Sequence, residues 1–222
     1  MSAAVVVVPC KELRDILLPA FAPCFAFNNR CASMRWRPRE GHIPRGFCGA
    51  TGKLNEVKLV LILAEPGDPY SNQANDPRAR PEELLESACQ HTYACLESRR
   101  DRFHRNVRFI LDCCWPTLPF GEQLRRTWIT ESVLCSAEIE SGPIPGNVEL
   151  TCGDSYLRKE LDLFLNAVIG ALGKKARTRV ERLRLGRSIL CGESAAHRCS
   201  NEQAHESWGK ICEAVRKERG IA

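Results

Sequence analysis

Hydrophobic positions in this chain gather into short continuous runs, separated by longer stretches in which they recur at helical spacing. Val57 to Ala64 is apolar at every position except Lys58, and Ala167 to Gly173 is apolar throughout. Such runs suit strands buried on both faces, as in the interior of a parallel sheet. Trp128 to Leu134 and the shorter Ser188 to Cys191 read as two further strands. The turn Glu65-Pro66-Gly67-Asp68-Pro69-Tyr70 stops the first run abruptly, because two prolines and a glycine break the pattern.

Between the strands the pattern predicts helices. Residues 10–18 form a short one, and 20–56 read as an irregular lead-in rich in Pro, Gly, Arg and Cys. Pro81, with Glu82 and Glu83 in the first turn, opens a helix to about Ser98. His104 to Cys114 places Val107, Ile110 and Leu111 on one side, and Pro116 ends it. Asp154 is the expected cap of a helix carrying Leu157, Leu161 and Phe164. Lys174 opens a basic helix, and Asn201 to about Lys217 buries Trp208, Ile211 and Val215. Strands alternating with helices predict an α/β fold. The expected architecture is a three-layer α/β/α sandwich around a central, mainly parallel four-stranded sheet, one domain over 1–222 with 1–20 as an N-terminal extension.

Length and composition agree with one sizeable domain: 222 residues, 44% hydrophobic and 27% charged. No apolar run reaches membrane-spanning length, and Ala3 to Pro9 lacks the basic flank of a signal peptide. The expected location is the cytoplasm. A net charge of +5 permits a polyanionic partner without demanding one. The signatures of a P-loop, of a GxGxxG dinucleotide site and of the zinc nucleobase deaminases are all missing.

Ligands of open α/β sheets bind beyond the carboxyl ends of the strands. Two strand-end segments there carry titratable groups: Glu65–Tyr70, and Glu193–Ser200 with His197 beside Arg198 and Ser200. Facing one cleft, a carboxylate and an imidazole would suit acid–base work or stabilisation of an anionic leaving group; the alternative is a solvated turn and a surface histidine. The cysteines, thirteen in all and so not completely pairable, offer a second constellation. Cys24 and Cys31 lie in the irregular segment, while Cys135 and Cys152 bracket a Gly/Pro loop of sixteen residues. Four thiolates from these two regions suit an iron–sulfur cluster or a zinc ion, with reduced, unligated cysteines as the alternative. Cys89, Cys95, Cys113, Cys114 and Cys212 fall on helices as small core residues. The run Arg177, Arg179, Arg182, Arg184, Arg187 reads first as a solvated helix face and second as a phosphate-binding stripe.

Taken together, these residues resemble the uracil-DNA glycosylase superfamily, in particular its branch bearing an iron–sulfur cluster. Ala64-Glu65-Pro66-Gly67 is similar to the GEAPG motif that ends the first strand there, and Asp68-Pro69-Tyr70 to the DPY of GQDPYH. Trp128-Ile129-Thr130-Glu131-Ser132-Val133-Leu134-Cys135 resembles YITNVVKC, followed by Cys152 where the family has a further cysteine. Leu172-Gly173 matches a strand ending in LG, and His197-Arg198-Cys199 stands where the family has HPS, before a helix with Trp208. The likeness spans about 20–218. Its departures are Ala64 or Asp68 at the position of the water-activating acid, Glu131 for the asparagine that reads uracil, and Arg198-Cys199 for Pro-Ser.

The resemblance implies a DNA repair hydrolase that flips uracil from single- or double-stranded DNA and cuts its N-glycosidic bond. It implies catalytic roles for Glu65, Asp68 and His197, and base contacts from Pro66, Gly67, Tyr70, Glu131 and Ser132. Arg198 and Ser200 would touch DNA. A structural 4Fe-4S cluster would sit on Cys24, Cys31, Cys135 and Cys152, and the expected state is a monomer. The rival expectations are a protein of the same fold that binds uracil or single-stranded DNA without turnover, and a metal-stabilised α/β protein of unrelated purpose.

Overall fold

The structure is a computed structural model that describes residues 7–22, 24–27, 29–196 and 201–218, the side chain of Asn201 excepted. Helix α1 (Lys11–Leu17) and a two-residue strand β1 (Cys48–Gly49) precede the first apolar run, which forms β2 (Leu59–Leu63). Helices α2 (Pro81–Glu97), α3 (Arg102–Cys114) and α4 (Phe120–Arg125) follow, then β3 (Thr127–Glu131). The chain continues through α5 (Gly146–Cys152), a π-helical turn (Gly153–Leu157) and α6 (Arg158–Asp162) into β4 (Val168–Leu172). Helix α7 (Lys174–Arg182), β5 (Leu190–Gly192) and α8 (Asn201–Glu218) complete it.

The sheet order is β1-β3-β2-β4-β5, with β3, β2, β4 and β5 parallel and β1 antiparallel to β3. The sheet thus has five strands where four were expected. The added strand is only Cys48–Gly49, too short to leave a period-two signal. The central strand β2 is buried at all five positions, as a strand paired on both sides and covered on both faces must be. Its register aligns Leu61 with Ile129 of β3 and with Gly170 of β4.

Alternate residues of the sheet serve two separate cores, which makes the three layers. Val60, Ile62, Trp128, Ile169 and Ala171 face one core with α1, α5 and α7; Leu59, Leu61, Ile129 and Leu172 face the other with α3 and α8. A Cβ on Gly170 would lie 2.9 Å from Ile211 Cδ1, so the glycine lets α8 seat closely on β4. Within the stretch expected as an N-terminal extension, Leu13, Leu17 and Ala20 are buried in the first core. One local expectation is corrected. Asp154 is not a helix cap: the helical stretch already begins at Gly146, after Pro145, and Asp154 pairs instead with Arg158 one turn on. Among the described residues no helix is long and apolar enough to cross a membrane.

A buried carboxyl ties the first layer to the sheet. Trp128 Nε1 of β3 donates to Glu160 Oε2 of α6 at 2.8 Å, while Glu160 Oε1 has no hydrogen-bond partner among the described residues. Burial pushes Glu160 up to about 7, against the opposing pull of the Trp128 hydrogen bond and the nearby Thr130 hydroxyl. The folded state therefore keeps a proton that the unfolded chain releases, and stability should fall as the pH rises from 4.5 to about 7. Glu160→Gln keeps an acceptor for Trp128 and removes the titration. In urea denaturation across that range the variant should show a flatter profile and gain on the order of 3 kcal/mol over the wild type above pH 7. Parallel profiles would show that Glu160 ionises normally.

Candidate active site and cysteine site

The carboxyl ends of β2, β3 and β4 open into a cavity of about 370 Å³, within the size range of small-molecule sites. Its walls include the whole turn Glu65–Asp68 with Tyr70, the end residue Glu131 of β3, and Ser194–Ala196 after β5. The turn after β2 and the described residues Ser194–Ala196 of the segment after β5 thus share one hollow. His197, Arg198 and Ser200 lie outside the described residues, immediately beyond Ala196.

The turn is held at several backbone atoms. Arg45 Nη2 and Ser136 Oγ both donate to the Gly67 carbonyl, the latter at 3.2 Å, and Asp68 N donates to Glu140 Oε1 at 3.2 Å. Arg179 of α7 donates to the Ala64 carbonyl at 2.7 Å. Pro66 and Gly67 line the cavity within this fixed turn. The two acids of the turn have different surroundings. Glu65 is buried, with Oε1 on Lys175 and Oε2 on Arg179 at 2.5 Å. Asp68 is half-exposed and receives Arg35 Nη1 on Oδ1 at 2.9 Å.

Arg179 is the residue beside the cavity whose burial the sequence reading did not anticipate. Expected on a solvated face, it is 4% exposed and bonds Glu65, Glu149 Oε1 (2.8 Å), the Ala64 carbonyl and Ser132 Oγ (3.2 Å). The available signal was register: Arg179 is three residues after Ala176 and four before Leu183, on the apolar stripe of α7. Ser132 is drawn into this network, donating to the Ala64 carbonyl at 2.6 Å, and is not among the described residues that line the cavity.

Glu131 remains in the cavity wall, where the sequence placed it. Burial and the facing Glu65 push its carboxyl well above the usual range, with Arg179 and Arg45 pulling the other way. The opposite wall, from α2 and α3, has no counterpart in the sequence reading apart from Tyr70. Tyr70 donates to Asp101 Oδ2, Asp101 Oδ1 caps α3 through His104 N at 3.0 Å, and Arg100 covers the Tyr70 ring at 3.7 Å. His104 Nδ1 lies 2.9 Å from Asp101 Oδ1 but is not aligned for a hydrogen bond. Burial holds His104 and His91, both in the wall, below the usual imidazole range. Both shifts favour the neutral imidazole.

On the other face of the sheet, Cys24, Cys31, Cys135 and Cys152 line one small apolar void with Phe27, Met34 and Val148. All four are buried and unpaired by disulfide. Burial raises Cys135 well above the usual thiol range, and Cys152, Cys24 and Cys31 each add to the shift, as neighbouring thiols do. Two sulfurs already accept hydrogen bonds, Cys24 from Tyr156 Oη at 3.2 Å and Cys152 from Leu134 N at 3.4 Å. Such donors stabilise ligating thiolates. Among the described residues no group of three or more His, Cys, Asp or Glu is placed to hold a single metal ion. Four thiols around a common void are the donor set of an iron–sulfur cluster or of a zinc ion.

No protein-family model matches the chain, and no curated protein matches it either.

The Arg179 network gives a direct expectation. Arg179→Met leaves Glu65 and Glu149 with only their outer partners, Lys175 and Arg182. Urea denaturation should show a loss of about 3 kcal/mol, partly restored when Glu65→Gln is added. A loss under about 1 kcal/mol would mean that water already screens these pairs.

Proposed function

We propose that the protein is a DNA repair enzyme that hydrolyses the N-glycosidic bond of uracil in DNA and leaves an abasic site. The observation that carries this reading is the shared cavity: the acid-bearing turn after β2 and the segment leading to His197 line one hollow with Glu131. Its site at the strand ends and its size suit a single flipped base, and its motifs follow the order of the resembled glycosylases. Flipping costs a few kcal/mol of stacking, offset by contacts inside the pocket.

Asp68 is the acid better placed to act. Its carboxylate is half-exposed and tied on one oxygen by Arg35, whereas both oxygens of Glu65 are engaged by cations. In this reading Asp68 orients the attacking water and balances the positive charge that develops on the sugar. Glu65 positions the turn, and Tyr70, anchored by Asp101, forms the wall beside the base. His197 donates to the oxygen of the departing uracil anion, and Arg198 and Ser200 meet the DNA backbone. The partner is uracil-containing DNA, the acting species a monomer, and the compartment the cytoplasm, where the cysteines stay reduced.

The cysteine site belongs to the same proposal. Cys24, Cys31, Cys135 and Cys152 would hold a 4Fe-4S cluster that cross-links the N-terminal segment to the β3–α5 region without redox turnover. Purified protein should then be brown, absorb in the charge-transfer region and carry about four iron per chain. Cys135→Ser should remove the colour and lower the melting temperature. A colourless protein with zinc or without metal would reject the cluster.

For catalysis, a uracil-containing oligonucleotide is incubated with the protein and then cleaved with alkali at abasic sites. Wild type should cleave. Asp68→Asn should slow release by about a hundredfold or more, and Glu65→Gln by less, accompanied by lost stability. A second reading, a binder without turnover, is favoured by the cations on Glu65 and Asp68. Salt-dependent retention of the oligonucleotide with no alkali-labile product would establish it.

A further inference from the structure

Resting on the reading of Asp68 as the acid that orients the attacking water, we propose that His42 is a positioning residue for it. Uncharged and carrying its proton on Nδ1, His42 fixes Arg35 on Asp68 and Ser136 on the Gly67 carbonyl, and the turn is competent only in that state.

The hydrogen bonds leave one assignment. Arg35 Nη1 lies 3.3 Å from His42 Nε2 and donates to Asp68 Oδ1 at 2.9 Å. A guanidinium only donates, so Nε2 is the acceptor. A neutral ring with a lone pair on Nε2 carries its proton on Nδ1, which lies 3.2 Å from Ser136 Oγ. Ser136 accepts there and directs its own proton to the Gly67 carbonyl at 3.2 Å. The reverse tautomer would set Nε2–H against Arg35, donor to donor, and an imidazolium would add a like charge to the same clash. One ring thus joins the two groups that hold consecutive residues of the turn.

Its placement makes the ring a fixed support. His42 is 5% exposed and Ser136 is 2% exposed. His42 exchanges backbone hydrogen bonds with Arg37 in both directions, at 2.8 and 3.1 Å. One residue earlier, Gly41 adopts φ +82°, and a Cβ there would lie 2.8 Å from Pro69 Cβ and 2.9 Å from Gln73 Cβ. Glycine lets this segment press directly on the residues that follow Asp68.

Four charged groups face the ring. Arg35 and Arg45 come from the segment on either side of it, Glu40 from the same turn, and Asp68 from the turn after β2. Burial and the two arginines favour the uncharged ring, while Asp68 and Glu40 pull the other way. Charging the ring turns Nε2 into a donor. Arg35 then loses an acceptor and gains a like charge beside it, and Asp68 Oδ1 loses its fixed partner.

The test combines heteronuclear NMR of the full chain, labelled at histidine, with release from the uracil-containing oligonucleotide. At pH 7 the His42 signal, identified by its loss in His42→Gln, should show the proton on Nδ1 and a bare Nε2. His42→Leu should lower kcat by about thirtyfold with KM within about twofold, because Asp68 is misplaced while the cavity is kept. His42→Gln retains one donor and one acceptor and should recover kcat to within about fivefold of wild type. In an Asp68→Asn background, His42→Leu should lower kcat by less than about threefold, since its effect runs through Asp68. Wild-type kcat should fall in a step as the pH drops below 6.5, and His42→Gln should lack that step. If His42→Leu does not fold, the tautomer and the two pH profiles still decide. Uracil release by a wild type whose His42 is protonated on Nε2, an acid step unchanged in His42→Gln, or an undiminished loss in the Asp68→Asn background overturns the role of His42 alone. No release by wild type overturns the glycosylase reading, and the part of His42 in catalysis with it.

Discussion

The buried guanidinium of Arg179 is the interaction on which the carboxyl end of the sheet depends. It joins the last residue before the turn, through the Ala64 carbonyl, to Ser132 beyond β3 and to Glu149 of α5. Three elements that diverge from the sheet are thereby held at a common point. Buried ion pairs contribute little net stability, because desolvation offsets attraction, but breaking one leaves a charge without compensation. Arg179 therefore specifies an arrangement more than it strengthens one. It also sets the electrostatics of the cavity, since its donors serve Glu65 and Glu149 and leave Glu131 without a hydrogen-bonded cation.

The consequence is a cavity whose three acids sit in three different surroundings. Glu65 is buried and paired to Lys175 and Arg179, Asp68 is half-exposed with one arginine, and Glu131 is buried and faces a like charge. The opposite wall adds rigidity. Tyr70 is tied to Asp101, which in turn caps α3, so the side of the pocket made by α2 and α3 cannot shift independently of the turn.

How much of this was legible depends on range. The four parallel strands were readable because burial on both faces leaves uninterrupted apolar runs, and the two strand-end segments followed from the topology. The four cysteines were singled out by their place in two irregular segments, while the choice of a cluster over zinc or unligated thiols came from resemblance. What escaped was set by single long-range contacts. Nothing local marks Arg45 as the residue that reaches Gly67, or Asp101 as the anchor of Tyr70. Arg179 carried a faint signal, a charge on an apolar helical stripe, obscured by four neighbouring arginines. The start of the helix at Gly146 was hidden by a Gly/Pro loop signal that belongs to its N-terminus.

The cysteine site and the cavity lie on different sides of the sheet, yet one stretch of chain serves both. Three residues after Cys31 stands Met34, whose N–H bonds the Cys31 carbonyl, and next to it Arg35, whose N–H bonds the Ser136 carbonyl at 3.0 Å. Arg35 then reaches Asp68, while Ser136, next to Cys135, reaches the Gly67 carbonyl. The segment carrying Cys24 and Cys31 has little regular structure of its own, so its position depends on whatever fastens its ends. A cross-link among the four cysteines would fasten it within four residues of Arg35 and one residue of Ser136. On that arrangement the thiol site governs the cavity mechanically, by holding the arginine and the hydroxyl that hold the turn. Its influence on Asp68 needs no change of charge at the thiols, only that Cys31 and Cys135 stay where they are.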